Sequence, residues 1–483
     1  MHLTVVQRIL GLLLMLFSVT MLPPVLVSLG YDDGASQAFV TAFVITLVVG
    51  LISWLPVRRQ HRELRLRDGF VVVVMFWTVL SATGALPFAL AEHPRLSVTD
   101  AFFESISGLT TTGATVIVGL DDLPKSILYY RQQLQWLGGM GIIVLAVAVL
   151  PMLGIGGMQL YRAETPGPIK DSKLTPRITE TAKALWYIYL GLTLACVLGY
   201  WLAGMTPFDA VAHAFSTVAI GGFSTHDASM GYFNNTAIYL VGVLFMFLAG
   251  VNFALHFSVV RQKSLKVYWR DSEFRFYLLL MVLVIVVTTG GLHYHATHGS
   301  FHENFVHGLF QAVSIGTTAG FTTAEWHNWP GFIAILLLFS SFVGGCAGST
   351  GGGIKVIRFL LLIKQGMREI TRLVHPNAQI PVRVGNKSIP PRVVEAVWGF
   401  FALYVASFTL MYLLLAATGI DLMTAFSAVA ASINNLGPGL GNVGANYAGL
   451  HDPAKWILCF AMLLGRLEIF TLLVLLTPVF WRH

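Results

Sequence analysis

An all-α polytopic membrane protein is the fold class this sequence predicts, and three observations predict it. The 483 residues are 55% hydrophobic and only 11% charged, with a mean hydropathy of +0.72, whereas a soluble domain carries roughly 25% charged residues. That leaves too little polar surface to cover a water-soluble body, which excludes a soluble enzyme, a disordered regulator and a fibrous protein. Ten runs are apolar over the roughly 20 residues that cross a bilayer: 9–29, 38–56, 70–91, 136–160, 185–204, 237–260, 276–292, 331–363, 393–418 and 456–480. Of the 30 Lys and Arg, 23 fall in four short stretches at 57–68, 162–183, 261–275 and 355–392. Such alternation is what the positive-inside rule produces. A nucleic-acid surface would gather its charge on one soluble face, so no nucleic-acid partner is expected.

The first run follows Arg8 in the manner of a secretory signal. It is long, lacks a small-x-small cleavage site and leads into a second span, so it reads as retained. With the basic stretches inside, both termini are cytoplasmic. The outer connections then carry Asp32, Asp33, Glu92, Asp121, Asp122, Asp227 and Glu325. Cys196, Cys346 and Cys459 lie in apolar or Gly-rich runs and form neither a disulfide framework nor a CxxC pair.

Between the later spans lie four shorter, semi-apolar stretches that lead into glycine: DAFFESISGLTTTGAT (100–115), DAVAHAFSTVAIGGFST (209–225), HGLFQAVSIGTTAGFTT (307–323) and TAFSAVAASINNLGPGL (424–440). Aligned on Gly113, Gly222, Gly320 and Gly437, they place Asp100, Asp209, His307 and Thr424 thirteen residues upstream, three of them common N-cap types. Six upstream stand Ser107, Ser216, Ser314 and Ala431. This is an internal repeat of roughly one hundred residues. Each unit reads span, half-length helix, Gly-centred loop, span. The expected division is 1–68 for two extra N-terminal spans, then 69–180, 181–272, 273–390 and 391–483 for four units of like orientation around one axis.

A non-helical loop at membrane depth is tolerated only where protein buries it or where it lines a water-filled path. Four such loops meeting on an axis would ring an ion with carbonyls in place of its hydration shell. Glycine permits the positive φ this demands, and the carboxyl ends of the half-helices favour a cation. Thr111, Thr112, Thr318 and Asn435 add side-chain oxygens, for coordination or for bracing.

LTTTGAT, AIGGFST, TTAGFTT and NNLGPGLG, together with FVGGCAGSTGGGIK, resemble the Trk/Ktr/HKT superfamily of potassium transporters over nearly the whole chain. The resemblance implies K+ as transported ion with no organic cofactor, and no enzymatic activity. It implies coordination by the backbone of Thr111, Thr112 and Gly113; Ile220, Gly221 and Gly222; Thr318, Ala319 and Gly320; and Asn435, Leu436 and Gly437. Some plant relatives that prefer sodium carry Ser at the first loop glycine, so Gly113 favours potassium. Pro438 and Gly439 depart from the Phe-Ser and Phe-Thr of loops two and three, which puts strict fourfold equivalence in doubt. The resemblance also implies a bacterial inner-membrane location, a homodimer surrounded by membrane lipid, and a cytosolic, ring-forming, nucleotide-binding regulatory partner of TrkA type.

The run Gly344–Gly353 breaks the eighth span, since each Gly costs about 1 kcal/mol relative to Ala in a helix. It fails the phosphate-loop pattern, because Gly353 is followed by Ile354 and Lys355 with no Ser or Thr next. It reads as a close helix-packing site of small residues or, by the resemblance, as an intramembrane loop obstructing the pore, formed by Gly345, Gly348, Ser349, Gly351, Gly352 and Gly353. Arg466 is a charge inside an apolar run and so a functional position by default. Its offset from Gly437 equals that of Ser349 from Gly320, which puts the two at similar depth. Arg466 either reaches the Gly-rich run, as the resemblance implies, or braces the bundle. Glu468 would face elsewhere on a continuous helix. His293, His295 and His298 read as solvated loop histidines, and Asn252 and His256 as cavity or interhelix residues one turn apart. A sodium-selective or cation-coupled carrier is the rival within transport. An intramembrane enzyme is the rival outside it, and it lacks HExxH, GxSxG and paired intramembrane aspartates.

Overall fold

The computed structural model describes residues 2–59, 66–144, 178–385 and 387–482. Most of the run expected at 136–160 and of the basic stretch at 162–183 lies outside those residues. Among the described residues six helices are long and apolar enough to cross a membrane: Leu3–Tyr31, Ser36–Val57, Arg67–Leu90, Lys183–Leu202, Ser272–Tyr294 and Pro391–Ala417. They answer to six of the ten expected runs. The N-terminal pair packs through Gly11 and Gly50, where a Cβ on Gly11 would stand 2.9 Å from the Gly50 carbonyl oxygen; small residues let membrane helices approach this closely. One antiparallel hairpin, Arg383–Val384 with Lys387–Ser388, joins the third and fourth units and is an exception to the all-α expectation.

The second span of a unit departs most from the uninterrupted helix expected of it. In unit two it is Thr236–Ala249 and Phe253–Gln262, bent by 94°; in unit four it is Asp452–Arg466 and Phe470–Leu476, bent by 110°. In unit three Gly331–Val343 and Val356–Val374 flank the Gly-rich run. Only that break was expected. Measured from the loop glycine, the three breaks fall at matching places. Asn252 caps the new helix at the first by accepting from the Ala254 amide at 2.8 Å, and the His256 amide donates to its carbonyl at 3.3 Å. The two therefore stand one turn apart as expected, but at the start of a separate helix rather than within a continuous span. Glu468 and Ile469 turn the second with φ of 54° and 61°, a region that β-branched residues enter only under constraint. In unit one the second span begins at Lys125 rather than 136. Arg131, Gln132, Gln133 and Gln135 are buried in it, so polarity that ended a hydropathy run belongs to the protein-facing side of the helix.

The half-helices are Val98–Leu109, Pro207–Ala219, Phe301–Gly316 and Leu422–Ile433. Their caps are Ser97, Thr206, Ser300 and Asp421, which accept from the amides of Asp100, Asp209, Glu303 and Thr424. The repeated position thirteen before the glycine is therefore the third helical residue in units one, two and four, not the cap. The third helix starts a turn earlier, on a full capping box. Each half-helix packs on the second span of the preceding unit, and the first packs on that of the fourth. The four units thus close into a ring.

Candidate functional site

Where the half-helices end, the chain turns twice through positive φ. Thr111, Ile220, Thr318 and Asn435 have φ of 53°, 54°, 72° and 53°, and Gly113, Gly222, Gly320 and Gly437 have 80°, 81°, 82° and 97°. Between them, the amides of Thr112, Gly221, Ala319 and Leu436 donate to the carbonyls of Ser107, Ser216, Ser314 and Ala431 at 2.7–2.8 Å. The repeated position six before the glycine thus acts through its backbone, which is why Ala431 serves as well as serine.

The loops meet in cyclic order. A Cβ built on Gly113 would stand 2.0 Å from the carbonyl oxygen of Gly221. On Gly222 it would stand 2.1 Å from that of Ala319, on Gly320 2.1 Å from that of Leu436, and on Gly437 2.6 Å from that of Thr112. Each glycine seats the carbonyl that precedes the next glycine, and the fourth returns to the first. All twelve loop residues named from the sequence are thereby brought together. Of the side chains of Thr111, Thr112, Thr318 and Asn435, three brace, Asn435 through its amide nitrogen and Thr112 and Thr318 through their hydroxyl oxygens. Asn435 donates to Thr112 Oγ1 and to the Met462 carbonyl, both at 3.0 Å, and Thr318 Oγ1 accepts from the Gly352 amide at 2.7 Å.

Sequence reasoning missed the side chains that hold the ring from outside. Arg131 binds Glu104 at 2.8 Å, both fully buried, and donates to the Ser224 carbonyl at 2.9 Å and Thr115 Oγ1 at 3.0 Å. Glu104 also accepts from the Val116 amide at 3.0 Å. This pair ties the first half-helix to loops one and two; a buried pair with every site satisfied fixes geometry more than it adds stability. Gln135 donates to the Gly221 carbonyl at 2.7 Å and accepts from the Phe223 amide at 3.1 Å. Tyr447 donates to the Gly437 carbonyl at 2.7 Å. An acid inside an apolar half-helix and a base in the neighbouring span were the available signal for Glu104 and Arg131.

The Gly-rich run is an irregular bar against the inner ends of the half-helices. Gly344, Gly348 and Gly353 have positive φ. The Gly352 amide reaches loop three at Thr318, and the Gly353 amide donates to the carbonyl of Asn434 in loop four at 3.1 Å. Thr350 Oγ1 donates to the Val218 carbonyl of unit two at 2.9 Å. The Cys346 amide meets the Gly250 carbonyl at 2.8 Å, and the Phe253 amide meets that of Gly348 at 3.0 Å. Gly345 pairs with Gly352, Ser349 Oγ donates to Cys346, and the Lys355 ammonium donates to the Gly351 carbonyl. Glu273 accepts the Ala347 amide at 2.7 Å. Arg466 completes the crossing: it donates to the carbonyl of Thr350 at 3.3 Å and to that of Gly138 in unit one at 3.2 Å. Residues of all four units therefore meet at the bar. Glu468 lies beyond the helix end and pairs with Arg358 at 2.6 Å.

On the outer side, His226 lies between two acids of different units. Its Nδ1 binds Asp121 and its Nε2 is 3.6 Å from Asp209, with Tyr232 stacked on the ring at 3.4 Å. Asp227 beside it accepts the amides of Gly119 and Leu120, and His213 also lies near. Burial disfavours the imidazolium, but the hydrogen bonds and charges of Asp209 and Asp121 outweigh it, and the His226 pKa rises. A raised value makes this link fully present below the ordinary histidine pKa of about 6.5 and lost as pH climbs through the elevated one. The expected result is that His226→Gln lowers the melting temperature at pH 6 by about one degree, about 1 kcal/mol or less for a pair whose acid Asp121 is partly exposed. Thermal scans at rising pH should show that margin shrink; a constant margin would dismiss the charged link. Of the other histidines, His298 stacks on His307 at 4.7 Å and His293 meets Phe301 edge to face. Among the described residues no group of three metal-ligating side chains occurs.

Comparison with known proteins agrees with this geometry. A family model described as "TrkH: Cation transport protein" matches residues 35–481. The chain is 62% identical over 477 residues to the Trk system potassium uptake protein TrkH of Vibrio parahaemolyticus, covering 98% of each. It is 57% identical to the protein of that name from Escherichia coli K12, covering 100% of both, and 46% identical to TrkG of the same organism, covering 100% of this chain and 99% of that one. Among solved structures, the crystal structure of the potassium transporter TrkH from Vibrio parahaemolyticus superposes with a TM-score of 0.92 at 59% identity, covering 100% of each chain. With its four-loop ring and these full-length likenesses, the chain belongs to the TrkH family of cation transport proteins.

Proposed function

We infer that this chain is the membrane subunit of a bacterial potassium-uptake system, passing K+ along the axis of the four loops. The observation that carries the reading is the closed cycle in which each loop glycine seats the next loop's carbonyl. Backbone oxygens held so rigidly can replace a fixed part of an ion's hydration shell. The twelve loop residues from Thr111 to Gly437 form the filter, and the carboxyl ends of four half-helices add a field that favours a cation. The Gly-rich bar and Arg466 form the gate on its inner side. The chain sits in the inner membrane with cytoplasmic termini, an orientation that its basic stretches at 261–275 and 355–392 support. Ion flux in proteoliposomes, with potassium, sodium and pH gradients varied separately, tests the reading. Saturable uptake of K+ over Na+ supports it. Na+ flux exceeding that of K+ would favour a sodium-selective carrier, and flux tied to a proton gradient a coupled one.

The regulator is a cytosolic nucleotide-binding protein that docks on the basic inner loops of a homodimer. Arg368 and Arg372 share one partner, Glu369, at 3.3 and 3.4 Å. Neutralising both strips the cations and leaves that acid. Pull-down at about 0.1 M salt, where charges act over about 10 Å, should show roughly tenfold weaker capture, with ion selectivity intact. Undiminished capture would place docking on another loop.

A further inference from the structure

A cavity of about 160 Å³ lies between the N-terminal span and unit one. Leu16, Phe17, Phe76, Trp77, Gly138 and Gly141 are among its walls. Leu16 is 52% exposed, so the cavity opens on the apolar outer face of the bundle and away from the loop axis. The hydroxyl in the lining, that of Thr20, already donates to the Phe17 carbonyl at 2.6 Å. Among the described wall residues the other polar side-chain atom is Trp77 Nε1, which is buried without a partner. A lining this poor in polar groups resembles the apolar cavities of about 150 Å³ that stay dry yet accept a six-carbon ring. In a bilayer the molecules that bathe this face are acyl chains. Two wall residues also hold the intramembrane arginine: the Arg466 guanidinium lies 5.5 Å from the Trp77 ring centre and donates to the Gly138 carbonyl at 3.2 Å.

We propose that this cavity seats the end of a phospholipid acyl chain, and that the seated chain holds Trp77 in place against Arg466. A void on one side of a ring forfeits the dispersion contacts that would fix it. A hydrocarbon end supplies them without adding a polar group. The lipid thereby reaches the gate through the protein, from the side of the bundle that no cytosolic partner touches. The second half of this proposal rests on Arg466 being part of the gate; the first half does not.

The test uses the full chain in vesicles doped with a phosphatidylethanolamine bearing a diazirine at one acyl terminus, with insertion sites mapped by peptide mass spectrometry. Labelling at residues 16–17, 76–80 and 137–141 should exceed that on the lipid-facing stretch 48–52. Gly141→Leu puts a side chain into the cavity, since the nearest atoms to a Cβ there are those of Trp77 and Phe76, at an ordinary contact distance of 3.6–3.9 Å. It should cut labelling at these sites about tenfold. Gly191→Leu, at a position with nothing within 4 Å, should leave the labelling unchanged. No enrichment, or equal labelling in Gly141→Leu and parent, overturns the site. For the coupling, Trp77→Leu should raise regulator-free K+ flux about fivefold, while Gly141→Leu, whose side chain takes the lipid's place, stays within about twofold of the parent. Parental flux in Trp77→Leu, or a large rise in Gly141→Leu, overturns the link to Arg466 and leaves the labelling result standing.

Discussion

Gly113→Ser is expected to lower the preference for potassium over sodium about tenfold, the equivalent of 1.4 kcal/mol. Two physical terms act together. At φ 80° a residue with a Cβ pays roughly 1–2 kcal/mol. The Cβ would also stand 2.0 Å from the Gly221 carbonyl oxygen, and real Cβ atoms do not approach an oxygen so closely. Loop two must therefore retreat, and the ring loses the spacing on which discrimination between two alkali ions depends. The control is Gly119→Ser, at φ 79° but with nothing within 4 Å. It carries the same backbone cost and no contact with the ring, so its selectivity stays that of the parent. Reversal potentials under mixed K+ and Na+ gradients measure both variants. An unchanged ratio in Gly113→Ser would remove that glycine from the filter.

Arg466→Ala is expected to raise regulator-free K+ permeation by about an order of magnitude. Hydrogen bonds from a charged group are worth about 1.5–3 kcal/mol each, and this arginine donates to the Thr350 carbonyl of the bar and to the Gly138 carbonyl of unit one. Its charge also opposes any cation at the same depth. Both effects resist flow, so losing them favours the open arrangement. A short deletion within 345–351, which spares the amides of Gly352 and Gly353 that bind loops three and four, should act in the same direction and leave selectivity intact. Arg466→Lys, which keeps the charge and loses the planar fork, should fall between alanine and parent. Stopped-flow thallium or rubidium flux, with insertion checked by size-exclusion profiles, decides the matter. If Arg466→Ala and the deletion both insert normally and conduct no more than the parent, the bar and Arg466 are packing features.

Much of this architecture was legible in one dimension because its causes repeat along the chain. Hydropathy marks a span wherever one helix faces lipid around most of its surface, as Ser272–Tyr294 does. It fails where a span turns polar side chains inward, so the window misplaced the start of Lys125–Val144 at the expense of Arg131 and Gln135. Matched offsets to Gly113, Gly222, Gly320 and Gly437 revealed the four units, since a turn through positive φ at a crowded axis restricts residue choice strongly. Breaks at Gly250–Asn252 and Leu467–Ile469 left no such mark. They are set by caps and by contacts with neighbouring units, and only the run Gly344–Gly353 was poor enough in helix propensity to announce itself.

By itself, then, the sequence determined the membrane class and pointed to the fourfold repetition, the loop glycines and the place of Arg466 beside the Gly-rich run, because each follows from local chemistry or from counting along the chain. The tertiary structure alone decided that the loops close in cyclic order, that Ser107 and Ala431 serve through their carbonyls, that Arg131 and Glu104 clamp the ring, that Arg466 bonds to Thr350 and Gly138, and that Glu468 pairs with Arg358. Those facts join residues up to 328 positions apart, and such pairings are selected by shape and by the need to satisfy buried polar groups in three dimensions, which no local pattern encodes.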